Sequence, residues 1–240
     1  MPLALFALTI GAFAIGTTEF VIVGLVPTIA QQLSISLPSA GLLVSIYALG
    51  VAIGAPVLTA LTGRMPRKQL LLALMVLFTA GNVLAWQAPG YETLILARLL
   101  TGLAHGVFFS IGSTIATSLV AKEKAASAIA IMFGGLTGVH FGNFIGQHFG
   151  WRETSLAVSI LGVLALISSL ILVPNNIPGR ASASLRDQLK VLTHPRLLMI
   201  YAITALGYGG VFTAFTFLAP MMQELAGFSP SAVSWILLGY

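Results

Sequence analysis

Thr59-Ala60-Leu61-Thr62-Gly63-Arg64-Met65-Pro66-Arg67-Lys68 is the stretch on which the fold turns. Three cations, Arg64, Arg67 and Lys68, crowd together in a chain of which only 7% is charged. Apolar runs flank them at 40–58 and 70–85. Each run approaches the ~20 residues that a helix needs to cross a hydrocarbon core of ~30 Å. A short basic turn between two such runs reads as a helical hairpin whose loop lies on the cytoplasmic side. That reading orients every other crossing.

The composition agrees. The chain has 240 residues, 58% of them hydrophobic, and a mean hydropathy of +1.01. A soluble domain carries about a quarter charged residues, so this is an all-α polytopic membrane protein. The apolar runs are long and lack period-two alternation, which excludes a β-barrel. No signal peptide is expected, because no basic region precedes Leu3 and the first run is too long. The net charge of +5 is explained by short-loop cations that set topology, so no nucleic-acid partner is expected. Without cysteine, disulfides and thiolate metal sites are excluded, which says nothing about compartment.

Working outward, the pattern predicts helices at 3–29, 39–61, 69–86, 92–120, 125–146, 154–173 and 197–222, with an eighth opening at Phe228-Ser229-Pro230. The polar stretch 174–196 reads as a cytoplasmic linker, with a short surface helix expected at 184–192. It separates a six-helix bundle (1–173) from the start of a second bundle (197–240). Nine of the eleven cations fall in loops on the side of the basic turn: Arg64, Arg67, Lys68, Lys122, Lys124, Arg180, Arg186, Lys190 and Arg196. Arg152 is the one cation in the opposite loops, and Arg98 lies within a helix. This bias places the N-terminus in the cytoplasm.

An internal repeat supports two bundles. Pro27 is followed by Pro38-Ser39-Ala40, and Pro220 by Pro230-Ser231-Ala232, at nearly equal spacing. Helices 7 and 8 therefore read as a second copy of helices 1 and 2 in the same orientation, a plan known in transporters. Residues 230–240 span only ~16 Å as a helix, so the eighth is expected to be partial and the chain truncated.

An ionisable side chain in a membrane helix costs at least ~2.5–3.5 kcal/mol and is a functional candidate by default. Glu19 and Arg98 qualify. Glu19 follows Gly16-Thr17-Thr18 near the middle of its helix. A carboxyl that moves between apolar surroundings and a wet cavity changes its proton affinity, as proton coupling requires. The plainer alternative is a buried, hydrogen-bonded structural carboxyl. For Arg98 the alternative is snorkelling to the outer interface.

Arg98, Gly102, His105 and Phe109 share one helix face at steps of four, three and four. His105 reads as a relay or cavity group or, more plainly, as a core histidine bonded to a backbone carbonyl. Asn82 reads as a cavity residue or as interhelical glue. His140 and Asn143 are further cavity candidates. Gly102 and Gly106 admit a close neighbour, and Gly134, Gly138, Gly142 and Gly146 form a packing ridge. Nucleotide-loop, zinc-protease and hydrolase signatures are absent. The histidines at 105, 140, 148 and 194 are too scattered for a metal, so neither enzyme, metal nor cofactor is expected.

These residues resemble the major facilitator superfamily, in particular its bacterial drug:proton antiporter branch of arabinose-efflux-permease-like proteins. The likeness runs through the chain and is closest at Gly16-Thr17-Thr18-Glu19-Phe20-Val21-Ile22, from Tyr47-Ala48-Leu49-Gly50 to Lys68, at Ala97-Arg98 through His105-Gly106, and at Gly150-Trp151-Arg152. The resemblance implies that Arg98 with Gly102 and Gly106 serves proton transfer, that 59–68 controls the conformational switch, and that Glu19 lies in the helix-1 signature. It implies an inner-membrane, proton-coupled efflux transporter of a drug, sugar or nucleoside-like molecule, with lipid, substrate and protons as partners. Gly63 replaces the aspartate that usually precedes the first arginine. Helix 5 reads Gly138-Val139-His140-Phe141-Gly142 in place of a Gly-Pro pair, and its segment is shorter by a little over one turn. The rival expectation is a non-transporting membrane fragment or an assembly subunit.

Overall fold

The chain is described by a computed structural model covering residues 2–63, 65–134, 142, 145–146, 148–177, 193–229, 232–233 and 236. Its helices are α1 (Ala4–Gln32), α2 (Leu37–Thr62), α3 (Arg67–Trp86), α4 (Tyr91–Ser118), α5 (Ala125–Phe133), α6 (Trp151–Leu172) and α7 (Pro195–Glu224). A 3-10 turn, Lys122–Lys124, joins α4 to α5. No strand occurs among the described residues. All but α5 are long and apolar enough to cross a membrane.

The ends of these six helices fall within three residues of the sequence expectation. The largest advance is at α6, which begins at Trp151 and takes Arg152 and Glu153 into its first turn. Gly150, at φ 107°, makes the sharp entry, a conformation that costs a glycine little. At α2 the Ser36 hydroxyl accepts from the Ser39 N–H at 3.2 Å, and Pro38 stands in the first turn. Both are ordinary helix-start devices. A like cap, Ser229 Oγ accepting from the Ala232 N–H at 3.3 Å, precedes the second half of the repeat. Pro27 and Pro220 both sit inside helices, tolerated where neighbours satisfy the freed backbone groups. Arg64, Gly138, His140, Asn143, the linker residues 178–192 and most of helix 8 lie outside the described residues.

α1 to α6 form one bundle and α7 lies against its flank. α2 packs on α4, α3 on α4 and α6, and α1 on α6, α2 and α5. Two apolar clusters fill the bundle. One, towards the basic turn, includes Leu8, Ile15, Met75, Phe78, Phe108, Ile115 and Met132. The other, towards the opposite end, includes Val26, Ile29, Leu43, Leu94 and Trp151. Buried Thr17, Thr18, Asn82, Arg98 and Thr101 lie where the two meet, as a polar layer. Leu49, Ile53, Ile160, Leu164 and Ile171 face outward, as a lipid-facing surface requires. α7 is exposed along most of its length and touches α1 through Phe20, whose ring lies 6.0 Å from Phe212 and 6.3 Å from Phe215.

The closest helix pair is α2 with α4. Apolar packing earns little from lipid exclusion inside a bilayer, so close backbone approach carries much of the association. A Cβ added at Gly50 would stand 2.6 Å from the Leu99 carbonyl oxygen, and one at Gly54 2.6 Å from that of Leu103. From the other side, a Cβ at Gly106 would stand 2.5 Å from the Val51 oxygen, and one at Gly102 would collide with the Tyr47 oxygen. Four glycines, spaced by four on each helix, thus let two backbones touch. In the expected helix-5 ridge, Gly142 lies against Thr17 and Val21 and Gly146 against Leu25 of α1.

Gly50→Val should lower the melting temperature in detergent by several degrees, the effect of about 1–3 kcal/mol of overpacking. Gly207→Ala, where an added Cβ meets nothing within 4 Å, should not lower it. Thermal unfolding followed by circular dichroism checks both.

Candidate functional site

The α2–α4 crossing places Tyr47 alongside the face of α4 that carries Arg98 and His105. Those two residues are seven apart, a rise of ~10 Å, and Tyr47 spans the gap. Its ring lies beneath the Arg98 guanidinium, 4.1 Å from Cζ. Its hydroxyl meets His105 Nδ1 at 2.8 Å. His105 therefore finds a phenol where the sequence reading favours a backbone carbonyl. Glu19 approaches from α1, with Oε2 3.8 Å from His105 Nδ1. The Glu19 and His105 side chains retain 19% and 15% exposure, so the cluster reaches the surface of the bundle.

Arg98 does not snorkel. It is 5% exposed and is held by helix carbonyls on either side of α4. Nη1 donates to the Thr18 oxygen at 2.8 Å and Nε to the Leu43 oxygen at 3.2 Å. Each carbonyl has a second lone pair to offer beyond its helical bond. The guanidinium thus ties α1 and α2 to α4, and no carboxylate lies within 4 Å of it among the described residues. Glu19 and Arg98 share the polar layer without forming an ion pair. Thr18 also donates its hydroxyl to Asn82 Oδ1 at 3.0 Å, while Asn82 Nδ2 donates to the Phe78 oxygen at 3.0 Å. Asn82 is thereby joined to the cluster as an interhelical bond, buried and away from the His105 face.

The layer contains Tyr47, a site residue that sequence reasoning missed. Its signal was a phenol in an apolar helix, which needs a partner when buried. Beyond His105 the site continues as an aromatic wall. Phe109 lies 5.0 Å from the His105 ring and Phe133 5.0 Å from Phe109. Among the described residues no three metal-ligating side chains converge.

At the basic end, Lys68 Nζ donates to the Leu170 oxygen at 2.8 Å. The bond joins the start of α3 to the last turn of α6, where carbonyls lack intrahelical partners and the helix dipole is negative. Arg67 opens α3. With Gly63 ending α2, the described anchor of the turn is the Leu170 carbonyl. At the opposite end, Arg152 Nη2 donates to the Ala88 oxygen at 2.7 Å and stacks 4.3 Å over the Trp151 ring.

The sequence profile of the Major Facilitator Superfamily matches residues 8–240. The MFS-type transporter YtbD of Bacillus subtilis is 53% identical over 242 residues, covering 99% of this chain. The inner membrane transport protein YdhP of Escherichia coli K12 is 44% identical over 98% of it. This chain spans 61% of the length of each of these two relatives. The chloramphenicol resistance protein of Streptomyces lividans is 34% identical over 99% of the chain, which covers 63% of that protein. A solved structure of a bacterial homolog of the human lysosomal transporter Spinster, inward-facing and unoccupied, superposes with a TM-score of 0.69. That match covers 96% of this chain and 57% of the other at 19% identity, and shows a shared fold.

Tyr47→Phe keeps the ring under Arg98 but removes the partner of His105, and should cost about 1 kcal/mol. Tyr47→Leu loses the cation–π contact as well and should cost about 1–2 kcal/mol more. The ranking of the two melting temperatures tests whether Tyr47 serves both neighbours.

Proposed function

This chain belongs to the major facilitator superfamily, and from that premise we propose that the intact transporter exports a small molecule in exchange for protons. The observation that carries the proposal is the mostly buried Glu19 carboxyl, set beside His105 and in one layer with a buried arginine that has no carboxylate within 4 Å among the described residues. A carboxyl at the rim of a polar layer gains or loses a proton as its surroundings alternate between wet and dry. That proton changes the charge of a layer tying α1, α2 and α4 together. A charge change that interacts differently with two conformations shifts their populations, tenfold for each ~1.4 kcal/mol of difference.

In this reading α1 to α6 are the first bundle and α7 opens the second, with residues 174–196 between them. The two bundles rock around a site near the midplane. Glu19 and Arg98 carry the proton coupling. His105, Phe109 and Phe133 form a wall suited to an apolar or aromatic substrate, since such pockets combine apolar lining with a few placed polar groups. His140 and Asn143 are proposed for the same cavity and Asn82 for its support. Arg64, Arg67 and Lys68 form a gate element at the cytoplasmic face. The name of the Streptomyces relative favours export of a drug-like compound. The family consists of transporters, and we read no catalytic role here.

We further propose an inner-membrane protein with its N-terminus in the cytoplasm, an orientation that the cation bias supports. In vesicles with an imposed proton gradient, and chloramphenicol as the first probe of a small-molecule panel, Glu19→Gln should abolish gradient-driven transport while insertion stays normal. Export at the native rate by that variant removes Glu19 from the mechanism. The chain has no cysteine, so single cysteines report topology directly. Gln87→Cys should react with an impermeant maleimide from outside intact cells, and Glu123→Cys only after permeabilisation.

A further inference from the structure

Beneath the polar layer, a small cavity of about 40 Å³ lies between α1, α3, α4 and α6. It runs from Arg98 towards the outer-loop end of the bundle, where Trp151 lines it. Two of its lining residues carry buried N–H groups without partners, Arg98 Nη2 and Trp151 Nε1. Both side chains are more than nine-tenths buried, at 5% and 3% exposure. Orphaned buried donors are rare and costly, and a cavity that stays empty is ordinarily apolar.

The rest of the lining is complementary. Thr18, Thr101, Thr154 and Ser155 have each spent their hydroxyl proton, on Asn82 Oδ1 and on the backbone oxygens of Ala97, Gly150 and Trp151 respectively. Their oxygens retain lone pairs that accept hydrogen bonds. The cavity thus presents two unused donors and several unused acceptors. A halide would answer the donors alone, while water answers both. One water needs about 10–15 Å³ of such volume, so there is room for about two or three.

We propose that this cavity is a water-binding site inside the first bundle, hydrating Arg98 from the side away from Glu19. The waters accept from Arg98 Nη2 and Trp151 Nε1 and donate to the hydroxyl oxygens. They stabilise a buried cation to which the described residues offer two carbonyl partners, since a buried charge is costly unless its hydrogen bonds are made. Trp151 lines the site, held by the Arg152 guanidinium stacked on its ring and bonded to Ala88. The site stands on its own geometry, whether or not Glu19 couples protons.

Radiolytic hydroxyl labelling of the whole transporter in nanodiscs, read by mass spectrometry, tests it. Radicals born from bound water oxidise the side chains that touch that water. After normalisation for intrinsic reactivity, Trp151 should label well above Phe78 and Phe108, which are equally buried in the apolar cluster. Ala85→Leu extends a side chain into the cavity and should reduce Trp151 labelling by about an order of magnitude. Labelling in Glu19→Gln should equal the native level, which separates this result from the fate of the transport proposal. Trp151 labelling no faster than Phe78 in the native protein would overturn the site, and native-level labelling in a folded Ala85→Leu variant would overturn its place in this cavity.

Discussion

The touching backbones of α2 and α4 set the geometry on which the rest depends. Gly50 and Gly54 face Gly102 and Gly106 so closely that a single methyl at any of them meets backbone. Only at that separation does the Tyr47 ring lie flat under Arg98 while its hydroxyl reaches His105. The same approach brings the Leu43 carbonyl to Arg98 Nε. A packing requirement and a chemical one are thus met by the same four positions. In a bilayer this is economical, because close approach supplies the attraction that hydrophobic exclusion supplies in water.

Arg98 makes the second constraint. A buried cation without a carboxylate needs other partners, and here they are carbonyls from helices on both sides of α4. The arginine is therefore structural even at rest, since it binds α1 at Thr18 and α2 at Leu43. Among the described residues no carboxylate lies within 4 Å of it, and Glu19 stands one residue from Thr18, where α1 is tied. Lys68 repeats the logic at the basic end, where it donates to a carbonyl in the last turn of α6.

Much of the fold was legible in the sequence because a bilayer leaves few alternatives. Long apolar runs must be helices, and short basic turns must join them. The start of α6 was missed because Trp151, Arg152 and Glu153 look like loop when the entry depends on a left-handed Gly150. Glu19, Arg98 and His105 were visible as polar residues in apolar helices, and the face spacing correctly grouped the last two. Tyr47, Gly50 and Gly54 were not, since their roles depend on which helix lies opposite. The glycine spacing of helix 5 was legible as a ridge, while the partner it meets, α1 at Thr17, Val21 and Leu25, was not.

The central claim is that protonation of Glu19 biases the conformation of a layer fixed by the α2–α4 crossing. The most direct measurement is the spin-label distance between Met65→Cys and Leu198→Cys, two exposed positions in the α2–α3 turn and α7. It is read by pulsed electron resonance in nanodiscs across a pH series, with the whole transporter. The account predicts a pH-dependent shift between two distance populations in the native background and a fixed distribution with Glu19→Gln. The same pH-dependent shift in the Glu19→Gln background would contradict it.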